Sequence, residues 1–324
     1  MKISTDFESI AKKSKRKQLW KTVGISMLGV LALGGILTKT LTELTNYHGN
    51  RVKEDYLLRS QIAYPNIQYK SWHFNPTSLT TGNFEANRFK SINGITVPYE
   101  NYDANYSLWQ NGDTTEADLI FQEDDHKPSY TMKEHYRSPM FYNTQFQTDD
   151  KTFKLPKELE IIKDMPGQAI EVAITFDKPY TYHELSQKLP QNVNLNWLWI
   201  GTKSNFDVSS LSPSDQLGIL ANNSLSQEDL NFFNANLEKA IKGKLFSKTF
   251  GTTTDGKHSH TFNLEDDAKD YLKANQTIDT ATFKGAIITG TAEELSKLAL
   301  ADWIFASSIG QTVTIQPYHQ QETN

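Results

Sequence analysis

Between Thr22 and Thr38 seventeen consecutive residues carry no charge, and the basic cluster Lys12, Lys13, Lys15, Arg16, Lys17 and Lys21 stands directly before them. A helix that crosses a ~30 Å hydrocarbon core needs ~17–25 residues, so residues 22–42 are expected to span a bilayer. Trp20 and Tyr47 lie 27 positions apart. At ~1.5 Å rise per residue that is ~40 Å, which sets both rings at headgroup depth. Lys39 can snorkel outward from the far end. Basic flanks stay inside, so the expectation is a single-pass protein of the cell membrane. Its N-terminus, residues 1–21, would be cytoplasmic and its C-terminus extracellular.

A cleaved secretory signal is the alternative. No small-x-small cleavage pattern follows Leu37, and Leu-Thr-Lys-Thr-Leu-Thr-Glu-Leu continues in helical register, which favours a retained anchor. Charge divides the chain in the same place. Lys2 and the six basic residues above, against Asp6 and Glu8, give the tail a net charge of +5; the whole chain is −5, so residues 22–324 carry −10. The collar Lys12, Lys13, Lys15, Arg16, Lys17 and Lys21 suits anionic lipid, at about 1 kcal/mol per basic side chain. The chain has no cysteine, which excludes disulfides, cysteine-ligated metals and a lipidated cysteine. That usage fits an exterior without strong disulfide machinery, as in many Gram-positive bacteria.

Residues 43–160 read as a membrane-proximal helix followed by a β-rich region. The helix is expected over Glu43–Ala63, closed by Pro65. Asn75-Pro76, Thr81-Gly82-Asn83, Asn93-Gly94 and Asn111-Gly112 signal turns between short extended runs. Residues 161–318 have clearer grammar. Ile170, Val172, Ile174 and Phe176 alternate with Ala169, Glu171, Ala173 and Thr175, a strand with one buried face, broken at Asp177-Lys178-Pro179. Thr181 and Glu184 have capping-box spacing for a short helix that stops at Pro190. A strand follows, with Val193, Leu195, Trp197 and Trp199 on one face. The pattern recurs: a strand over Phe283–Thr289, a capping box at Thr291 and Glu294, an apolar helical stripe of Leu295, Leu298, Ala299 and Trp303 closed by Gly310, then a strand through Val313 and Ile315. Two strand-helix-strand units predict an α+β, split βαβ (ferredoxin-like) domain. Helices capped by Ser226 and Asn263 form an insertion between its halves.

Catalytic and metal chemistry is not expected. His258-Ser259-His260 would share a strand face, but Gly251–Lys257 beside it reads as an exposed loop and no third ligand lies at a motif distance. Glu123-Asp124-Asp125 with His126 lacks the spacing and glycine of a calcium loop. His183 reads as a surface residue. No nucleophile elbow or phosphate-cradling loop is present outside the apolar run, and no cofactor is implied. Trp197 and Trp199 share a face with Val193 and Leu195, which favours core packing over a glycan platform.

Several phrases are familiar together. Val172-Ala-Ile-Thr-Phe-Asp-Lys-Pro-Tyr-Thr-Tyr-His-Glu-Leu185, Asn196-Trp-Leu-Trp-Ile-Gly-Thr202 and Gly285-Ala-Ile-Ile-Thr-Gly-Thr-Ala-Glu-Glu-Leu295 resemble the C-terminal region of the sigma factor regulator family. Asp6-Phe7 and Ile10, followed by Ala11-Lys-Lys-Ser-Lys-Arg-Lys17 running into the anchor, is similar to that family's N-terminal region. The resemblance implies a membrane-anchored anti-sigma factor that holds an extracytoplasmic-function sigma factor and senses the envelope, with no direct nucleic-acid contact. Under it, the short tail binds sigma as a helix continuous with the anchor, through the apolar face of Phe7, Ile10 and Ala11, with Thr5 and Glu8 at capping-box spacing. A second small membrane subunit supplying further sigma contacts is compatible with so short a tail. The competing reading is an envelope binding or assembly protein with a passive anchor and no sigma contact.

Overall fold

The computed structural model describes residues 3–110, 119–121, 127–133, 135–151, 153–246, 249–255 and 257–319, with side chains from residue 7 onward except at positions 119, 133 and 255. It is an α+β structure with one long N-terminal helix and several sheets. Its contacts divide the chain into two units. The first comprises Met1–Val52, Phe74–Phe84 and Ala104–Asp113; the second comprises Lys53–His73, Glu85–Asp103 and Thr114–Asn324.

No proline interrupts the first 59 residues, and they form one helix, α1 (Ile3–Arg59). Gly24, Gly29, Gly34 and Gly35 each disfavour a helix in water by about 1 kcal/mol. In hydrocarbon the balance reverses, because backbone groups must be satisfied within the segment. The threonine hydroxyls are satisfied in the same way. Thr22 donates to the Gln18 carbonyl (3.1 Å), Thr38 to Gly34, Thr40 to Ile36 and Thr42 to Thr38 (each 2.9 Å). Ile25, Leu28, Val30 and Leu33 are all exposed along this stretch. Among the described residues α1 is the one helix long and apolar enough to cross a membrane. It begins at Ile3, so Thr5 lies inside it rather than at its cap. Its end comes at Arg59, earlier than expected: the amides of Ser60 and Ala63 reach back to the Tyr56 and Arg59 carbonyls, and Tyr64 is left-handed (φ 64°) before Pro65.

The region after α1 is β-rich. Strands β1 (Gln68–Pro76), β2 (Thr81–Ile92) and β3 (Ile95–Ser107) form one sheet in the order β1-β2-β3. Asn93 (φ 52°) and Gly94 (φ 79°) make the expected two-residue turn, in which both residues need positive φ. The first turn lies before Thr81-Gly82-Asn83, which are inside β2. Strands β4 (Leu119–Phe121), β5 (Tyr130–Lys133) and β6 (Tyr136–Ser138) form a second small sheet.

The second unit centres on a five-stranded sheet. Its members are β7 (Gln168–Thr181), β8 (Asn194–Trp199), β9 (Gly218–Leu220), β12 (Thr282–Thr291) and β13 (Ile304–Thr314), in the order β13-β7-β12-β8-β9 with every pairing antiparallel. The intervening β10 (Phe250–Asp255) and β11 (His258–Asn263) pair as a hairpin, correcting the exposed loop expected there. Helix α2 (Tyr182–Lys188) carries the Thr181–Glu184 box, with the Glu184 amide on Thr181 Oγ1 and the Thr181 amide on the Glu184 carboxylate. Helices α3 (Gln227–Lys242) and α4 (Leu264–Ala274) start at Ser226 and Asn263 as expected. At Thr291 only half a box forms: Glu294 turns to Lys297 instead.

Three strand details differ from expectation. Strand β7 runs through Asp177-Lys178-Pro179, because its register against β12 shifts between Tyr180 and Thr175 and leaves Pro179 in a bulge that needs no amide donor. The stripe after Thr291 is helical only over α5 (Ala292–Leu295), with a 3₁₀ turn at Ser296–Leu298. Gly310 closes no helix; it lies inside β13, where a β-carbon would collide with the Glu171 carboxylate. The tryptophans are buried as expected: Trp197, Trp199 and Trp303 are 2%, 4% and 7% exposed. Phe141 stacks on Trp199 at 4.8 Å, and Ala173, Val208 and Ile287 complete that cluster.

Candidate functional site

Strand β2 alternates with period two, and Phe84, Ala86, Arg88, Lys90 and Ile92 are all buried. Two cations therefore point into the interior of the second unit. Lys90 meets Glu171, which rises from the middle of β7 although the sequence pattern assigned it to an exposed face. Both faces of β7 are buried over Ala169–Phe176, and on the Glu171 face Lys90 and Asn66 cover the carboxylate. Lys90 Nζ lies 2.7 Å from Glu171 Oε2, and the two side chains are 1% and 0% exposed. The carboxylate also accepts from Asn66 Nδ2 (2.8 Å) and the Gln311 amide (3.1 Å). A buried ion pair holds only when the remaining lone pairs are satisfied, and these donors do that.

From this pair a polar layer extends along the sheet. Asn196 donates to Asn66 Oδ1 (3.3 Å) and to the Ser91 carbonyl (3.2 Å). The Thr289 hydroxyl donates to Asn196 Oδ1 (2.8 Å) and accepts from the Asn93 amide (3.0 Å). Asn194 donates to Asn93 Oδ1, and Asn223 to Asn194 Oδ1, each at 3.0 Å. Asn66 (φ 54°) and Asn223 (φ 62°) sit in the left-handed region, where a short amide side chain is tolerated. Tyr64 (φ 64°) is bulky and should not be there; such residues cost about 1–3 kcal/mol and persist where their surroundings over-determine them. Here the Tyr64 amide donates to the Pro213 carbonyl (3.0 Å), and the Arg88 guanidinium lies 5.6 Å from its ring. The same guanidinium is 5.3 Å from the Tyr99 ring and 5.8 Å from that of Tyr102, a cation held by three aromatic faces.

The last turns of α1 end in this assembly. Tyr56 packs on Tyr64, Tyr69 and Tyr102, with 4.3 Å to the last. Arg59 donates to the Ser214 carbonyl (2.9 Å), Asp215 Oδ1 (3.2 Å) and the Leu245 carbonyl (3.0 Å). The Gly218 amide donates to the Ile62 carbonyl (2.9 Å). Segments on both sides of the β-rich region are thus joined by directional bonds rather than by apolar contact alone. Two open grooves flank this layer. One of about 490 Å³ combines Tyr64, Tyr69, Trp197 and Phe232 with Gln61 and Gln68. The other, about 480 Å³, is lined by Asn194, Asn196, Asn222, Asn223, Ser91 and Thr96, all uncharged donors and acceptors.

A second buried cluster surrounds Asp267, whose carboxyl is raised by burial and receives the Lys203 amide at 2.9 Å. Lys284 beside it donates to the Thr202 carbonyl, and burial lowers its ammonium. His260 is 1% exposed with Nδ1 2.8 Å from the Asn205 carbonyl, while His258 meets Asp149 at 3.6 Å. Among the described residues no three His, Asp or Glu side chains converge for a metal. His183 is exposed, beside Gln187. Glu123, Asp124, Asp125 and His126 lie outside the described residues.

The sequence-predicted contact residues all lie on α1. Phe7 and Ile10 are 75% and 65% exposed and share a helix face with Ala11. Lys12, Lys13, Lys15, Arg16, Lys17, Trp20, Lys21, Lys39 and Tyr47 are exposed along the same helix. The polar layer of the second unit was missed by sequence reasoning. Its signals were present: Arg88 and Lys90 in phase with Phe84 and Ile92, and a glutamate inside the apolar run Ala169–Phe176.

Comparison with known families matches two stretches. Residues 8–97 match the family described as Sigma factor regulator N-terminal, and residues 162–311 match Sigma factor regulator C-terminal. The first match runs past α1 through the Lys90 strand, and the second spans Glu171, so the buried ion pair joins the two matched stretches. No curated protein and no solved structure matches the chain. With its N-terminal and C-terminal regions both represented, this chain belongs to the sigma factor regulator family.

Proposed function

We propose that this chain is a membrane-anchored anti-sigma factor whose second unit senses conditions outside the cytoplasm. The observation that carries the reading is the presence of both regulator regions on one chain, the first including an exposed apolar helix. Residues 1–21 lie in the cytoplasm, with the collar Lys12–Lys21 meeting anionic lipid and residues after the span outside. The strand order β13-β7-β12-β8 is read as a split βαβ, ferredoxin-like arrangement, with β9 at its edge and residues 200–281 inserted. The role is regulatory rather than catalytic. Sensing falls to the groove lined by Asn194, Asn196, Asn222 and Asn223, whose amides suit an uncharged polar ligand.

The sigma contact is assigned to Phe7, Ile10 and Ala11. A small interface concentrates its energy in one or two anchors worth about 2 kcal/mol or more each. Phe7→Ala combined with Ile10→Ala is therefore expected to release the sigma factor and switch on its reporter while membrane levels stay normal. Lys12→Gln with Lys13→Gln should do much less. An unchanged reporter with the double alanine variant would remove the contact from this tail and assign it to a second small membrane subunit.

A further inference from the structure

The first unit contains more than a helix. Two strand ends fold against α1: the β1–β2 turn and the segment that ends β3. The Thr45 hydroxyl, 5% exposed, contacts the Leu79 carbonyl at 3.2 Å. The Leu108 amide donates to the Thr80 carbonyl (2.8 Å), which ties the second tip to the first. Tyr106, 6% exposed, wedges against Gly49 of α1 and Gly82 of β2, where any β-carbon would collide with its ring. These contacts fix the height of both tips along the helix, at Leu41–Gly49.

That height can be placed against the apolar run. Taking residues 22–42 as the ~30 Å hydrocarbon core ends it near Thr42. Thr45 then lies ~5 Å farther out, inside a headgroup layer that is ~5–8 Å thick on each side. What the tips present at this level is uncharged. Phe74–Phe84 and Ala104–Gln110 contain no Asp, Glu, Lys or Arg, although residues 22–324 carry a net charge of −10. Leu79 is 54% exposed and Trp109 84% exposed, and on α1 Leu44 and Tyr47 are 48% and 56% exposed. The turn also satisfies its own polar groups. The Thr77 and Ser78 amides donate to the Thr81 carbonyl, and the hydroxyls of Thr77, Ser78 and Thr81 bond one another at 2.7–2.8 Å. Such a turn loses little when water is thinned around it.

We infer that the two tips, through Leu79 and Trp109, form a membrane-docking foot that rests in the outer headgroup layer beside the anchor. Tryptophan at this depth is favoured because its ring is apolar and its N–H remains wet. The partner is the lipid surface itself. The inference rests on the reading of α1 as a membrane anchor. Its consequence is that the β-rich segment meets the bilayer at three points rather than one.

The chain has no cysteine, so single spin labels can be introduced without removing any residue first. Full-length protein carrying Leu79→Cys, Trp109→Cys or Gln110→Cys, the last keeping Trp109, is labelled and reconstituted in phosphatidylcholine–phosphatidylglycerol nanodiscs. Collision with oxygen, which concentrates in lipid, is compared with collision with a water-soluble nickel chelate. Leu33→Cys reports the span, and Leu300→Cys, at a side chain 93% exposed, reports water. A severalfold preference for oxygen at positions 79 and 109 or 110, resembling position 33, is expected. Nickel preference at those positions with oxygen preference at position 33 would overturn the foot and leave the anchor standing. Low collision with both reagents would mean the tips are covered by protein and would also overturn it. Nickel preference at position 33 would overturn the anchor reading, and the foot with it.

Discussion

Replacing Lys90 with methionine lowers the stability of the second unit by about 3–5 kcal/mol, the usual effect of stripping one partner from a buried ion pair. The side chain itself would fit, since methionine fills the space of the lysine stem. The loss comes from Glu171, which is 0% exposed and would keep Asn66 and the Gln311 amide but lose its cation. Against a total stability of about 5–15 kcal/mol, that is enough to lower the urea midpoint of the detergent-solubilised chain severely. Adding Glu171→Gln to Lys90→Met should recover much of the loss, because the double variant leaves no charge unpaired. A single variant that unfolds within about 0.5 kcal/mol of the parent, as an ordinary surface substitution does, would show that the pair is hydrated.

Trp199→Ala is expected to cost a further independent 3–5 kcal/mol or so, the range for truncating a large buried aromatic. Its ring is 4% exposed, stacks on Phe141 at 4.8 Å and shares a cluster with Ala173, Val208 and Ile287. Tryptophan emission followed through urea unfolding checks it. A parent-like midpoint would place Trp199 on a surface and revive the glycan-platform reading. The measurement should be made on the full chain. An expected domain boundary at residue 161 leaves Phe141 and Lys90 on one side and their partners Trp199 and Glu171 on the other.

Local grammar was legible where a few adjacent residues decide the outcome. The boxes at Thr181 and Ser226, the Asn263 cap, the Asn93-Gly94 turn and the alternating run from Ala169 all depend on neighbours within about four positions. The uncharged run from Thr22 to Thr38 belongs to the same class, since length and hydropathy alone mark it. What failed depended on partners far along the chain. Alternation assigned Glu171 to a solvent face, because nothing within β7 says that Lys90, 81 positions earlier, covers it. Gly310 looked like a helix stop, yet it is small because the Glu171 carboxylate occupies the space a side chain would take. Pro179 looked like a strand break, and only the bulge against β12 lets the strand pass through it. The family resemblance was read mainly from the C-terminal phrases and the basic tail. The matched N-terminal region in fact continues to residue 97 and includes Arg88 and Lys90.

Whether this chain holds a sigma factor at the membrane is decided by purifying the protein from its native membranes and identifying what accompanies it. An RNA polymerase sigma subunit is expected to co-purify, and deleting residues 1–21 should abolish its recovery while the second unit still melts cooperatively. Full-length protein recovered intact and folded, but with no sigma subunit bound under any growth condition that leaves the regulon silent, would contradict it.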